Sequence, residues 1–159
     1  MTEDFSLQEL SRLRADFPIL GRVGRGGKPI AYLDFSATSQ KPVQVIDAIS
    51  NFYRTSNGAV HRGTHLLGDE STAAFEEGRS ILADFIGGRA NEIVWTKNAT
   101  EAINLVALAM RNAAQDSAAK PSPVKLSAGD NIVITRAEHH ANLVPWQQLC
   151  AANGTELRW

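Results

Sequence analysis

The 159 residues contain one cysteine, Cys150. A single thiol excludes an internal disulfide and any zinc or iron–sulfur site built from several cysteines, and it suits a reducing compartment, so the cytoplasm is the expected location. Charge of one sign is also lacking: 16 Lys and Arg against 17 Asp and Glu leave a net charge of -1, and the cations are scattered along the chain. Without a basic stripe there is no electrostatic footprint for nucleic acid. Long apolar runs are missing too. The longest, Ile103–Met110, is broken by Asn104, and the opening Met-Thr-Glu-Asp-Phe-Ser is acidic and polar, unlike a secretory leader. No membrane role is expected. Two enzyme signatures are absent as well. No Gly-x-Ser-x-Gly elbow of a serine hydrolase occurs, and the Gly21–Gly27 turn lacks the glycine spacing of a Walker or dinucleotide loop.

What is present is 43% hydrophobic and 21% charged, the balance of one globular domain with a modest core. Leu7, Leu10 and Leu13 form the stripe of a short helix that ends before Pro18, and a Gly-rich turn over 24–27 leads into a strand at Ile30–Leu33. The polar stretch Asp34–Lys41 reads as a loop. Pro42 is placed as a first helical residue, and Val45, Ile46, Ile49, Phe52 and Tyr53 give the following helix, ending near Ser56, one apolar side. Residues 57–68 hold three glycines and two histidines and are too irregular for a regular element. A helix with Phe75, Leu82 and Phe85 then stops at Gly87-Gly88.

From there strands over 92–96, 131–135 and 155–159 alternate with helices over 100–112 and 142–153, an order that means parallel pairing with crossover helices. Residues 113–127, rich in Ala, Ser, Pro and Lys, interrupt one crossover and read as a mobile surface loop. A parallel sheet needs both faces covered, and no covering helix follows the last strand, so the sequence reads as the front portion of a longer α/β protein. Its expected parts are a helix and turn over 1–29 and a partial large domain over 30–159.

In open α/β sheets small molecules bind outside the carboxyl ends of strands. Two polar strand exits fall there. Thr135-Arg-Ala-Glu-His139-His140-Ala-Asn142 places two imidazoles at one. At the other, Thr96-Lys-Asn-Ala99-Thr100-Glu101 combines a helix start, whose amides converge and whose dipole favours an anion, with the Thr100 hydroxyl. A phosphate suits that turn, although the same letters spell an ordinary Thr N-cap. His139 offers a flat ring for an aromatic cofactor. A metal is the obvious rival for the histidines. Adjacent histidines in an extended segment point to different sides, however, and His61-Arg-Gly-Thr-His65 has Gly63 where a helical chelate would need good helix formers, so no metal is expected. A structural histidine is the plain alternative for His65 and His140, less so for His61 in its Gly-rich loop.

Taken together, Tyr32-Leu-Asp34, Gln40-Lys-Pro42, Ala59-Val-His61-Arg-Gly-Thr-His65, Thr96 to Val106, Ala128-Gly-Asp130 and Glu138-His-His-Ala-Asn142-Leu-Val-Pro-Trp146 resemble, in words and in order, the SUF-type cysteine desulfurases. These are class V, fold-type I pyridoxal-phosphate enzymes. The resemblance runs from about Ala15 to Trp159. It implies pyridoxal 5'-phosphate as cofactor, with Ala99 and Thr100 holding its phosphate and His139 stacking on its ring. It also implies a substrate-facing His61, substrate contacts from Ser36 and Ala37, and supporting places for Arg62 and Glu101 in the loop or a dimer contact. His139 and His61 are the expected catalytic residues. The implied activity converts L-cysteine to L-alanine and an enzyme persulfide for iron–sulfur cluster assembly, in a homodimer that passes sulfur to a SUF-system acceptor.

In the family a lysine tethers the cofactor, an aspartate pairs with its pyridine nitrogen and a mobile cysteine takes the sulfur. None of Lys28, Lys41, Lys97, Lys120 and Lys125 matches that lysine, and Cys150 aligns with no nucleophile and reads as a packing residue. The chain as given is therefore expected to be inactive. Phe35 also departs from the family's small residues after the aspartate. The alternatives are another class V enzyme, such as a selenocysteine lyase or an epimerase-like member, or a non-catalytic truncated remnant.

Overall fold

The computed structural model describes residues 5–115 and 125–159, which fall into two compact units, one ending at Ile93 and the other beginning at Val94. In the first unit, helix α1 (Leu7–Ala15) starts on a capping box: Ser6 Oγ accepts from the Glu9 amide, and the Glu9 carboxylate accepts from the Ser6 amide at 2.8 Å. Its leucine stripe forms as expected but stays open to solvent, with Leu7 84% exposed. Arg14 Nη2 donates to the carbonyls of Leu20 at 3.0 Å and Ile30 at 2.7 Å, tying α1 to the turns that follow.

Helix α2 (Val43–Thr55) is preceded by Pro42, which takes the extended N-cap conformation and not the expected first helical place, and Ser56 closes its far end. Helix α3 (Leu66–Ile86) begins earlier than expected, inside the stretch read as irregular, because His65 caps it by accepting the Gly68 amide on Nδ1. It ends at Gly87, whose left-handed φ of 73° lets the Gly87 and Gly88 amides reach back to the Asp84 and Ala83 carbonyls.

The second unit is built on a β–α–β core. Helix α4 (Ala99–Gln115) precedes strand β1 (Asn131–Val133), and helix α5 (Val144–Asn153) connects β1 to strand β2 (Glu156–Arg158). The two strands pair in parallel, with Asn131, Ile132 and Val133 opposite Glu156, Leu157 and Arg158. Helix α5 packs on both strands and on α4, burying Leu149 and Cys150, while Ala107 of α4 is buried as well. Cys150 is thus a packing residue, as the sequence implied.

Three further expectations need correction. No strand forms over Ile30–Leu33, and Leu33 is 92% exposed. None forms over 92–96 either, where Glu92 closes a 3-10 turn (Ala90–Glu92) and Val94 is 68% exposed. Both stretches have the composition of a strand, but a strand exists only through its ladder, and neither has a ladder partner among the described residues. The third is the loop expected over 113–127. Its first residues, Ala113–Gln115, continue α4, as their alanines favour, and residues 116–124 lie outside the described residues.

Candidate functional site

The start of α4 is capped by Asn98, not by Thr100. Asn98 Oδ1 accepts from the Glu101 amide at 2.9 Å, its carbonyl accepts from the Ala102 amide at 3.1 Å, and the Glu101 carboxylate reaches back to the Lys97 amide at 2.6 Å. With the third and fourth amides of the helix satisfied internally, the amides of Ala99 and Thr100 remain as the pair no helical carbonyl can reach. That pair, at the positive end of a 17-residue helix and beside a hydroxyl, has the chemistry to donate to an anion. Glu101 thus closes the start of its own helix through its side chain.

His139 follows a turn at Arg136–Ala137 beyond the end of β1 and is itself extended. Its Nδ1 accepts from the Ala141 amide at 3.1 Å, so in the neutral ring the proton sits on Nε2. The ring stacks on His140, with centroids 4.2 Å apart and planes at 29°. The expectation that these neighbours point to different sides fails for a local reason. His139 is extended whereas His140 opens a 3-10 turn (His140–Asn142), so the alternation of a continuous extended segment does not apply to the pair. Thr100 and His139 line one cavity of about 290 Å³, together with Asn104, His140, Val144 and Gln148. Ala99 is not among its lining residues. The volume lies at the low end of the usual ligand-pocket range of about 300–1,000 Å³. The residues fit the implied cofactor in kind: amides and a hydroxyl for a phosphate, and an imidazole face for an aromatic ring.

Sequence reasoning missed what holds the His139 turn. Trp146 Nε1 donates to Asn142 Oδ1 at 2.8 Å, Asn142 Nδ2 donates to Glu138 Oε2 at 2.9 Å, and Thr135 Oγ1 donates to Glu138 Oε1 at 2.9 Å. Asn142 chiefly, and Thr135 after it, hold the Glu138 carboxyl below its ordinary range. The signal was the spacing of 135, 138, 142 and 146, three or four residues apart, which carries a polar chain along one side of a turn and the helix after it.

Ser36, Ala37 and His61 belong to the first unit. Ser36 and Ala37 sit on an exposed turn closed by Asp34, whose carbonyl accepts from the Ala37 amide at 3.2 Å. The Tyr32 hydroxyl lies 2.7 Å from the Thr38 carbonyl and 3.0 Å from that of Asp34. Phe35 packs edge-on against Tyr32, with centroids 5.0 Å apart, so it braces the turn from outside the core.

His61 has a φ of 59°, left-handed for a residue that is not glycine. Its amide donates to Thr72 Oγ1 at 2.9 Å, and Nε2 lies 2.8 Å from Glu76 Oε1. Its ring meets Phe75 edge-on at 5.7 Å. The loop can approach α3 because Gly63 and Gly68 meet backbone to backbone. A Cβ on Gly68 would come within 2.6 Å of the Gly63 Cα. Buried Ser71 closes the loop's entry, accepting from the Gly58 amide at 2.8 Å and donating to the Ser56 carbonyl at 2.5 Å.

Residues 31–159 match the class-V aminotransferase family, and the chain belongs to it. A probable cysteine desulfurase 2 of Mycobacterium leprae is 52% identical over all of this chain and 37% of its own length, and a cysteine desulfurase of Klebsiella pneumoniae is 49% identical over 94% of this chain and 34% of its own. Among solved structures, the apo cysteine desulfurase of Thermococcus onnurineus NA1 superposes with a TM-score of 0.75 at 38% identity, covering 92% of this chain and 32% of that one. The S-sulfonic acid form of a cysteine desulfurase from Escherichia coli gives 0.66 at 35% identity, covering 93% of this chain and 33% of its own. The fold is thus the α/β amino-terminal part of a fold-type I enzyme, and the chain spans about a third of the length of the relatives it matches.

Proposed function

We propose that this chain is the amino-terminal part of a pyridoxal-phosphate-dependent cysteine desulfurase, with residues 30–159 forming the first part of its cofactor domain and 1–29 a leading helix and turn. The observation that supports this reading is the shared cavity of Thr100 and His139, two residues 39 positions apart in sequence, where a phosphate and a stacked ring could be held in one place. When bound, the cofactor would supply the electron-withdrawing ring that weakens bonds at the substrate's α-carbon. The Ala99 and Thr100 amides and the Thr100 hydroxyl would hold its phosphate. His139, turned by its Ala141 contact and backed by His140, would lie on the ring. His61, with Ser36 and Ala37, would face the substrate.

The parent reaction is the removal of sulfur from L-cysteine, giving L-alanine and a protein persulfide. The spelling around His61 and the Pro145-Trp146 pair favour the SUF type, hence a sulfur acceptor of that system, a homodimer, a role in iron–sulfur cluster assembly and a cytoplasmic location. No helix among the described residues is long and apolar enough to cross a membrane. No lysine of this chain falls at the tether position of the resemblance and Cys150 is buried, so the chain by itself is expected to be inactive.

The test uses pyridoxamine 5'-phosphate, which carries the same ring and phosphate but no aldehyde to react with surface lysines. Titrated into isotope-labelled chain, it should shift the Ala99 and Thr100 amide signals and the His139 ring signals together, with affinity on the order of 1 mM or weaker, as expected for a ligand without its tether. T100A and H139A should each weaken it further. Shifts at one place without the other would overturn the reading. A strong long-wavelength band on adding pyridoxal phosphate would show that a lysine of this chain is the tether after all.

A further inference from the structure

We infer that Glu76 is a positioning residue that fixes the orientation and tautomer of His61. This rests on the proposed substrate-facing role of His61 only for its consequence in turnover; the geometry stands without it. Thr72 and Glu76, one helical turn apart on α3, take hold of His61 at two points. Thr72 Oγ1 accepts the backbone amide at 2.9 Å, and Glu76 Oε1 sits 2.8 Å from Nε2. Phe75, between them in sequence, presents an edge-on contact to the ring at 5.7 Å. A residue held in the left-handed region is strained and persists where its surroundings over-determine it. Here one helix supplies all three constraints.

The charged groups around the imidazole give the contact its direction. Glu76 is the acceptor at Nε2. Arg79 lies beyond it, with Nε 3.4 Å from the other Glu76 oxygen and its guanidinium 5.2 Å from the Phe75 ring centroid. Arg79 thus stands by the carboxylate oxygen that His61 does not use. Arg62 follows His61 in the chain. A carboxylate accepts but cannot donate, so in the neutral ring the proton must reside on Nε2 and Nδ1 is left as the lone-pair nitrogen. His139 reaches the same tautomer by a different route, through a backbone amide on Nδ1. Glu76 is distant in sequence from every motif that suggested a site, which is why the letters alone did not single it out.

The experiment measures the nitrogen-15 shifts of the His61 ring in the labelled chain at mildly alkaline pH, in wild type, E76Q and E76D. Amide spectra that overlay elsewhere confirm the fold of each variant. The inference expects a protonated Nε2 and a lone-pair Nδ1 in wild type. In E76Q, whose carboxamide both donates and accepts, the difference between the two nitrogens should shrink at least by about half, and E76D should restore part of it. Equal shifts in wild type and E76Q would overturn the inference. A second arm uses the full-length enzyme that carries this segment. E76Q should lower kcat/KM about 10-fold, as loss of an outer-shell partner does, and add nothing on top of H61A. If H61A leaves kcat/KM unchanged while the E76Q shift change persists, the substrate-facing role of His61 fails and Glu76's hold on the ring stands. If the two losses add in full, Glu76 does not act through His61 and the inference fails.

Discussion

The two candidate imidazoles are held by opposite strategies. His139 is held chiefly by its own neighbourhood: the side-chain hydrogen bonds described for its turn run among residues 135–146, so its spelling is recognisable because that network is local. His61 is fixed from a distance, by a helix face 11 to 15 residues further along the chain and by a glycine pair that lets two backbones touch. A local device tolerates drift in the rest of the protein. A remote one makes the histidine a reporter of how well the loop and α3 fit together, and its left-handed backbone is relieved as soon as that fit is lost.

The largest expected effect therefore falls on the remote device. G68A places a methyl 2.6 Å from the Gly63 Cα, against backbone that cannot rotate aside. Overpacking of this kind costs about 1–3 kcal/mol. Urea unfolding of the first unit should show a loss of that size, together with disappearance of the His61–Glu76 signature in the ring nitrogens. A neutral G68A would mean that the loop and helix are not in contact as described.

Next is the turn proposed to hold the phosphate. N98A removes the side-chain oxygen that satisfies the Glu101 amide, which should lower stability by about 1 kcal/mol and fray the first turn of α4. N98D, which keeps an acceptor, should restore the helix while placing a negative charge beside the proposed phosphate position. Circular dichroism separates folding from binding: equal helix content with weaker pyridoxamine-phosphate binding in N98D is the expected outcome. If N98D bound as well as wild type, the phosphate would not lie at this turn.

On the local device, W146F deletes the indole donor to Asn142 and leaves a part-buried acceptor without it. The loss should be about 0.5–1.5 kcal/mol, with the His139 ring signals broadening or moving because Asn142 also orders Glu138. An unchanged His139 environment would make the polar chain an ornament of the turn and not its brace.

These contrasts also explain what was legible in the letters. Caps and glycine stops are local, so the ends of α2 and α3 at Ser56 and Gly87 could be read from Ser, Gly and apolar spacing. The turn at Ala99–Thr100 and the stretch around His139 are likewise short words, and that is why they could be read as candidates. Strands at 30–33 and 92–96 were not legible, because alternation reports the capacity to join a sheet while the ladder depends on a neighbour elsewhere in the chain. The capping of α4 was misplaced by two residues because both Asn and Thr occur as caps, and the hydrogen bond decides for Asn98 over Thr100. Glu76 and Thr72 stayed hidden because their significance lies in meeting His61, a tertiary fact.

The smallest effect is a pH dependence, and its sign separates the two devices. The bonds from Asn142 and Thr135 hold the Glu138 carboxyl below its ordinary value, so the folded chain binds this proton less readily than the unfolded chain does. Its contribution to stability is therefore fully present above the ordinary carboxylate range and is lost as pH falls through the depressed folded value. Glu9 and Glu92, lowered by their own capping contacts, and Glu156, lowered by Arg158, act in the same direction and form a common background. Subtracting the E138Q stability profile from that of wild type removes that background. The difference should be level at neutral pH and decline only in the acid range, accompanied by movement of the Trp146 indole signal in wild type alone. A difference that stays flat into strong acid, or grows there, would show that Glu138 is not held ionised by Asn142 and Thr135 and that the His139 turn is braced by packing instead.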